Sequence, residues 1–281
     1  MPELPEVETI IRNLNTNLCG QKLLSIDFRR RDIIAEKLNS VSDEAIIGES
    51  IIKVFRHGKY LLFQFTNNLL MIIHLRMTGK LLYLPLLSQE ENDYYINHKH
   101  THVIFTFSEG QLLFNDVRRF GKIYFSKLDN SISLEKLLNS GPDALSDKFS
   151  DDYLYERAQR SPKKAIKTFL LDQKIVAGIG NIYADECLFL AGIKPNRVAA
   201  SLSKEESVVL HDKIISVLKD SILSGGTTFS DYRTADNHKG NFQNKLFVYG
   251  RSGETCRNCC NNLETIKIAG RTTVYCPNCQ E

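Results

Sequence analysis

IIKVFRHGKYLLFQFTNNLLMIIH, residues 51–74, is three short apolar runs broken at HGK and at TNN, and its reading decides the fold of the first half of the chain. Runs of this length, rich in Ile, Val and Phe and bounded by Gly and Asn, are strands joined by turns. Working outward, LLSIDFRR at 23–30 precedes them, and KLLYL at 80–84, HVIFTF at 102–107, QLLFND at 111–116 and KIYF at 122–125 follow. Many short strands separated by turn residues predict a sandwich or barrel. In front of them, Pro5 to Leu18 reads as a helix. Proline suits a first helical position, and Glu6 and Glu8 complement the positive end of the dipole.

From about Ser131 the pattern changes to helical spacing, in SLEKLLNSG, SDDYLYERAQR, KKAIKTFLLDQ, NIYADECLFLAGI and SKEESVVLHDKIISVLKDSIL. Ser203 followed by Glu206 is a capping box opening the last of these, and Gly225 with Gly226 ends it. A chain of 281 residues holds two domains of ordinary size, so the expectation is an α+β protein, mostly β first and helical second. Residues 225–250 are rich in Gly, Asn, Asp and Thr, a long irregular stretch of the kind that carries function.

The formal net charge of +3 is too mild to establish a polyanionic partner, although a basic surface fits within it. No apolar stretch approaches a membrane span, since NNLLMIIHLRMTG is interrupted by His74 and Arg76, and the expectation is a soluble protein. The N-terminus has neither a cationic flank nor an apolar run, so it does not read as a signal peptide. Seven cysteines without such a signal suit a reducing cytoplasm, where paired cysteines more often hold metal than form disulfides.

Five of the seven lie after Thr255: Cys256 and Cys259, sixteen intervening residues, then Cys276 and Cys279, with Cys260 as an extra thiol. Two identical Cys-x2-Cys knuckles around a hairpin too small for its own core present four thiolates to one tetrahedral Zn²⁺. With four cysteines no position is left for a catalytic water, so the metal is structural. Only Cys259, not Cys260, preserves the two-residue gap.

Other features are open when taken singly. Gly178 and Gly180 before Asn181 aim free backbone N–H groups at an anion, or simply make a tight turn between helices. HLRMTG and DVRRFG place Met77 and Phe120 beside arginines, as core residues with a solvated edge or as wedges that pry a base from a duplex. Arg271 at the hairpin suits a phosphate or is a solvated turn residue. At the start, MPELPEVETI leaves Met1, Pro2 and Glu3 unexplained by helix capping. Removal of Met1 would expose the secondary amine of Pro2, and an α-amino group, with a pKa near 8, is partly unprotonated and nucleophilic at neutral pH.

Taken in order, PELPEVET, HGKYL, HLRMTG, RRFG, GIGNIYADE, GGTT with VYGR, and the terminal cysteines resemble bacterial formamidopyrimidine-DNA glycosylase over the whole chain. The resemblance implies an N-terminal β-sandwich domain (1–132), a helix–two-turn–helix domain (133–245) and a zinc finger with a β-hairpin (246–281). Damaged double-stranded DNA would bind between the halves of a monomer.

By the same resemblance Pro2 is the nucleophile, Glu3 the acid assisting sugar-ring opening, and Glu6 a further active-site acid. Lys59, which holds the phosphate backbone near the lesion, and Arg271, a phosphate contact of the finger, are counted with them as catalytic residues, and Asn181, Lys163 and His98 are DNA contacts. Met77, Arg118 and Phe120 fill the gap left by the everted base, with Arg118 reading the orphaned cytosine, and residues 225–242 close over the lesion. The activity implied is excision of oxidised purines followed by strand cleavage through β,δ-elimination.

Val117 departs from the proline of the family's DPRRFG, Phe229 is bulky for the capping loop, and Cys260 is additional. An endonuclease VIII type enzyme is disfavoured by PELPEVET, and a non-enzymatic zinc-finger DNA-binding protein by the intact Pro2 and Glu3.

Overall fold

The computed structural model describes residues 1–35, 41–86, 89–129, 131–228 and 240–281, with the backbone alone for 89–92. The chain divides into two compact units, Met1–Ser133 with Ser224–Asn241, and Leu134–Leu223 with Phe242–Glu281.

The first unit holds α1 (Leu4–Leu18), β1 (Leu23–Phe28), β2 (Ile51–His57), β3 (Tyr60–Phe65), β4 (Leu69–His74), β5 (Gly79–Pro85), α2 (Gln89–Ile96), β6 (Thr101–Phe107), β7 (Gly110–Asp116) and β8 (Lys122–Lys127). Two antiparallel four-stranded sheets, ordered β1-β6-β7-β5 and β2-β3-β4-β8, form the expected sandwich. Alternation along the strands supplies the interior: Phe105, Phe107, Leu112 and Phe114 of one sheet share a core with Leu61, Phe63, Phe65, Met71 and Ile73 of the other.

Helix α1 adds Val7, Ile10, Ile11, Leu14 and Leu18 to that core, each contributing about 1.5–3 kcal/mol on full burial. The Val54 backbone N–H donates to Asn15 Oδ1 at 2.9 Å, fixing the helix to β2. The N-terminus is thereby carried by a helix bound into the core.

Glu3 is the helix cap, so Pro5 sits one residue inside the first position; its missing N–H is still among the four that have no helical carbonyl to bind. Glu6 remains in the first turn, whereas Glu8 binds Arg56 Nε at 2.7 Å and Arg12 at 3.0 Å. Helix α2 was not expected from the sequence; its Tyr95 and Ile96 pack against Leu84, Ile104 and Leu113.

The second unit holds α3 (Leu134–Leu138), α4 (Asp151–Gln159), α5 (Ile166–Leu171), α6 (Asn181–Leu190), α7 (Lys204–Leu223), β9 (Glu264–Ile268) and β10 (Arg271–Tyr275). Helix α7 packs on α4 and α6 through Leu210, Ile214, Val217 and Leu218. Its capping box is formed: the Glu206 N–H donates to Ser203 Oγ at 3.1 Å and the Ser203 N–H to Glu206 Oε2 at 2.8 Å. Gly225 and Gly226 follow its end with φ of 75° and 83°.

Strands β9 and β10 pair as a hairpin through Ala269 and Gly270, both left-handed, and Leu263, Val274, Cys256 and Cys276 bury against Phe189 of α6. Among the described residues no helix is long and apolar enough to cross a membrane.

Candidate functional site

Two sheet-switching connections of the sandwich lie at one edge. The chain passes from β4 to β5 through residues 75–78 and returns from β7 to β8 through 117–121, while His74 pairs with Lys122 and Gly79 with Asp116. Register alone therefore sets the HLRMTG and DVRRFG turns side by side.

Asp116, fully buried, ties them together. Its carboxylate accepts from Thr78 Oγ1 at 2.5 Å, from the Arg118 N–H at 3.2 Å and from the Gly121 N–H at 2.8 Å. Gly121 has no room for a side chain, since a Cβ there would meet the Phe114 ring at 2.6 Å. Each turn carries a non-glycine residue in left-handed backbone, Arg76 at φ 54° and Arg119 at 58°.

Met77 and Phe120 are held outward, 43% and 49% exposed, which excludes the core reading of both. The Arg118 guanidinium stacks over the Phe120 ring at 4.7 Å, and Val117 is exposed beside them.

Other residues singled out from the sequence collect at this edge. Tyr60 pairs with His74, so the Gly58–Lys59 turn joining β2 to β3 stands next to it, with Lys59 largely buried. His74 Nδ1 accepts the Arg76 N–H at 3.0 Å. Burial, reinforced by the charges of Arg76 and Lys59, pushes its pKa down to about 3, so the ring is neutral at physiological pH. His98 contacts Asn115 Nδ2 at 3.2 Å through Nδ1, and His102 Nε2 meets the Asp116 carbonyl at 2.8 Å.

Pro2 is half-buried and directly precedes the α1 cap, whose Glu3 and Glu6 are both buried. Glu6 spans two segments: Oε2 accepts the Glu3 N–H and Oε1 the Thr227 N–H, each at 2.8 Å. Thr227 stands at the entrance to the 225–242 loop; residues 229–239 of that loop, Phe229 included, lie outside the described residues.

In the second unit, Gly178 takes φ 115° and Gly180 caps α6, placing Asn181 at its first position. Asn181 Nδ2 donates to the Thr272 carbonyl at 3.3 Å, so the start of α6 and the Arg271 end of β10 form one surface. Asn181 Oδ1 is enclosed without a hydrogen-bond partner among the described residues.

Beneath lies an ion pair that sequence reading missed. The fully buried Lys167 Nζ stands 2.6 Å from Asp185 Oδ1 and donates to Thr273 Oγ1 at 2.7 Å. Burial, partly countered by Lys167, pushes the Asp185 carboxyl up to about 7. Glu186 accepts the N–H groups of Phe247, Val248 and Tyr249 at 2.8, 2.9 and 2.8 Å. A lysine on the apolar face of AIKTFLL and adjacent acids inside ADECLFL are the signals that pointed to these partners. Lys163 is not part of this surface; it stands exposed on the α4–α5 connection.

The sulfur atoms of Cys256, Cys259, Cys276 and Cys279 lie within 4.8 Å of one another. Tetrahedral zinc with Zn–S bonds of about 2.3 Å needs sulfurs about 3.8 Å apart. The pairs Cys256–Cys279 at 3.9 Å and Cys259–Cys276 at 3.4 Å bracket that spacing. Donor chemistry and geometry both fit one structural zinc. Cys260 is exposed, at φ 61°, and outside the cluster.

The chain thus combines a β-sandwich whose first helix is capped by buried acids, a helical unit and a four-cysteine finger. Residues 1–123 match the formamidopyrimidine-DNA glycosylase N-terminal domain, 140–233 the formamidopyrimidine-DNA glycosylase H2TH domain, and 253–281 the zinc finger found in FPG and IleRS. The chain is 43% identical over 281 residues to formamidopyrimidine-DNA glycosylase of Desulfitobacterium hafniense, covering all of both chains. It is 40% identical over 283 residues to that of Bacillus licheniformis, again covering all of both.

Among solved structures, the MutM (Fpg) protein of Thermus thermophilus superposes with a TM-score of 0.86 at 36% identity, covering 99% of this chain and 98% of that one. A Lactococcus lactis Fpg mutant in complex with DNA containing Fapy-dG gives 0.87 at 37%, covering all of both. The chain belongs to the formamidopyrimidine-DNA glycosylase family.

Proposed function

We propose that this protein excises oxidised purines, 8-oxoguanine and formamidopyrimidines, from double-stranded DNA and then cleaves the strand, acting as a monomer in the bacterial cytoplasm. Residues 1–132 carry the chemistry, 133–245 and 246–281 the grip on DNA. The observation that carries this reading is the N-terminus: Pro2 heads a helix fixed in the sandwich core, with the carboxylates of Glu3 and Glu6 buried at its cap.

With Met1 removed, the Pro2 nitrogen lone pair forms a bond to C1′ of the damaged nucleoside. The N-glycosidic bond breaks, its electron pair leaving with the base, which takes up a proton. Glu3 protonates the ring oxygen as the sugar opens, giving an iminium between Pro2 and C1′. The iminium acidifies C2′; loss of that proton expels the 3′ phosphate, a second elimination expels the 5′ phosphate, and water releases Pro2.

Glu6 serves by fixing the cap to Thr227. Base chemistry in a duplex needs eversion, for which Met77, Phe120 and Arg118 are set outward at one edge. Arg118 reads the orphaned cytosine, His98 contacts the DNA and Lys163 and Asn181 bind phosphates, while Lys59 and Arg271 hold phosphates as part of the catalytic set. Zinc, held by its four cysteines, orders the hairpin that presents Arg271.

A duplex carrying 8-oxoguanine opposite cytosine tests the reading. Strand nicking at the lesion and none in the undamaged duplex is expected; binding without nicking would reduce the protein to a non-enzymatic DNA-binding module.

A further inference from the structure

A groove of about 430 Å³ lies between the end of α4 and the α5–α6 connection, lined by Arg157, Arg160, Lys163, Lys164, Asp172 and Lys174 among others. Five cations thus surround one hollow with a single carboxylate in its wall. That carboxylate is engaged: Asp172 binds Lys164 Nζ at 2.6 Å and accepts the Lys174 N–H at 3.0 Å. Arg160 approaches Glu156 only at 3.7 Å, both side chains exposed. Arg157 Nε is shut off from solvent and has no hydrogen-bond partner among the described residues.

The dipole of α4 accounts for Arg157 in its last turn and Arg160 at its C-cap, but not for Lys163 and Lys174 beyond it. Gathering like charges around one concavity has an electrostatic cost that a bound polyanion reverses. The wall formed by 172–175 continues directly into the turn that opens α6. Gln173 braces that turn, accepting the Gly178 N–H at 3.0 Å and donating to the Ile179 carbonyl at 2.8 Å. Groove wall and α6 start are therefore two ends of one nine-residue connection, 172–180. Even fully extended such a segment spans only about 30 Å, less than the roughly 34 Å of one duplex turn.

We propose that this groove is a second phosphate-binding site, taking the DNA backbone within one helical turn of the phosphate held at Asn181. The proposal rests on the reading of the protein as a lesion-processing DNA enzyme, and extends the assigned contact at Lys163 to Arg157, Arg160 and Lys174. Its contacts are to phosphate alone, so they add affinity without sequence preference.

The test compares the unaltered protein with an Arg160→Ala/Lys174→Ala double variant on a duplex extending more than one helical turn beyond the lesion on both sides. Losing two phosphate contacts lowers the slope of log K against log salt by about two and weakens low-salt binding about tenfold. An Arg160→Lys/Lys174→Arg swap, which keeps both charges, retains the slope.

An unchanged slope and affinity in the double variant would overturn the proposal. So would inorganic tripolyphosphate titrating the groove while the DNA slope stays the same, which would identify a soluble polyphosphate as the ligand. Nicking of the lesion duplex by the unaltered protein tests the parent reading separately.

Discussion

At the sandwich edge, one buried carboxylate, Asp116, holds two turns that the strand register has already placed side by side. In the finger, a hairpin with a small apolar cluster is organised around four cysteines, and its Arg271 end meets α6 through Asn181 and the Lys167–Asp185 pair. The first surface owes its shape to a large core, the second to a metal and a buried charge pair. Injury to the second should remove DNA affinity, and injury to the first should remove discrimination or chemistry while affinity persists.

The largest effect is expected from Cys276→Ser, because structural zinc supplies about 10–16 kcal/mol of apparent folding free energy in small fingers. Zinc content measured by mass spectrometry should fall with most of the DNA binding, while the circular dichroism of the sandwich persists. Full binding by a zinc-free protein would break the contrast.

Next comes Asp116→Asn. Its amide oxygen cannot replace a carboxylate that accepts three hydrogen bonds, and a lost charge-assisted bond costs about 1.5–3 kcal/mol. The excision ratio for lesions opposite cytosine and adenine should flatten as the turn bearing Arg118 loosens, with binding to undamaged duplex little altered. An unchanged ratio would separate Asp116 from the reading residues.

A smaller, pH-dependent effect belongs to His74. Its folded pKa of about 3 lies below the ordinary 6.5, so between those values the unfolded chain takes up a proton that the folded one does not. The stability it contributes is complete above about pH 6.5 and is lost at up to about 1.4 kcal/mol per unit as pH falls towards 3. His74→Asn keeps an acceptor for the Arg76 N–H but does not titrate, so its melting temperature should fall less steeply than that of the unaltered protein between pH 6.5 and 4.5. Parallel curves would refute a buried neutral ring.

The smallest effect is expected from Val117→Pro, which restores the family residue in an exposed turn that Asp116 already holds. A compatible proline stabilises by about 0.4–1 kcal/mol through the unfolded chain. A larger gain, or a change in opposite-base preference, would show that Val117 shapes the turn.

The strands were legible because each combines an apolar run with Gly, Asn or Asp at its ends, and α7 because Ser203, Glu206 and the two glycines mark both termini. Helix α2 was not, since QEENDYYI has no apolar stripe; among its described side chains Tyr95 and Ile96 pack against β5, β6 and β7. The four cysteines were legible from spacing alone. Met77 and Phe120 were not legible from local pattern, which cannot distinguish a core side chain from one held outward; their exposure in the structure decides it. Lys167 and Asp185 lie eighteen positions apart on different helices, and nothing in their local patterns states that they meet.

The chemistry assigned to Pro2 is tested most directly by trapping with borohydride, which reduces an iminium to a stable amine. Protein lacking Met1, incubated with lesion DNA and borohydride, should give a covalent complex whose cross-link maps to the Pro2 nitrogen. Retaining Met1 turns that nitrogen into an amide and should abolish the complex while DNA binding survives. Efficient trapping by protein that still carries Met1, or a cross-link mapped to Lys59, would contradict the assignment of Pro2 as nucleophile.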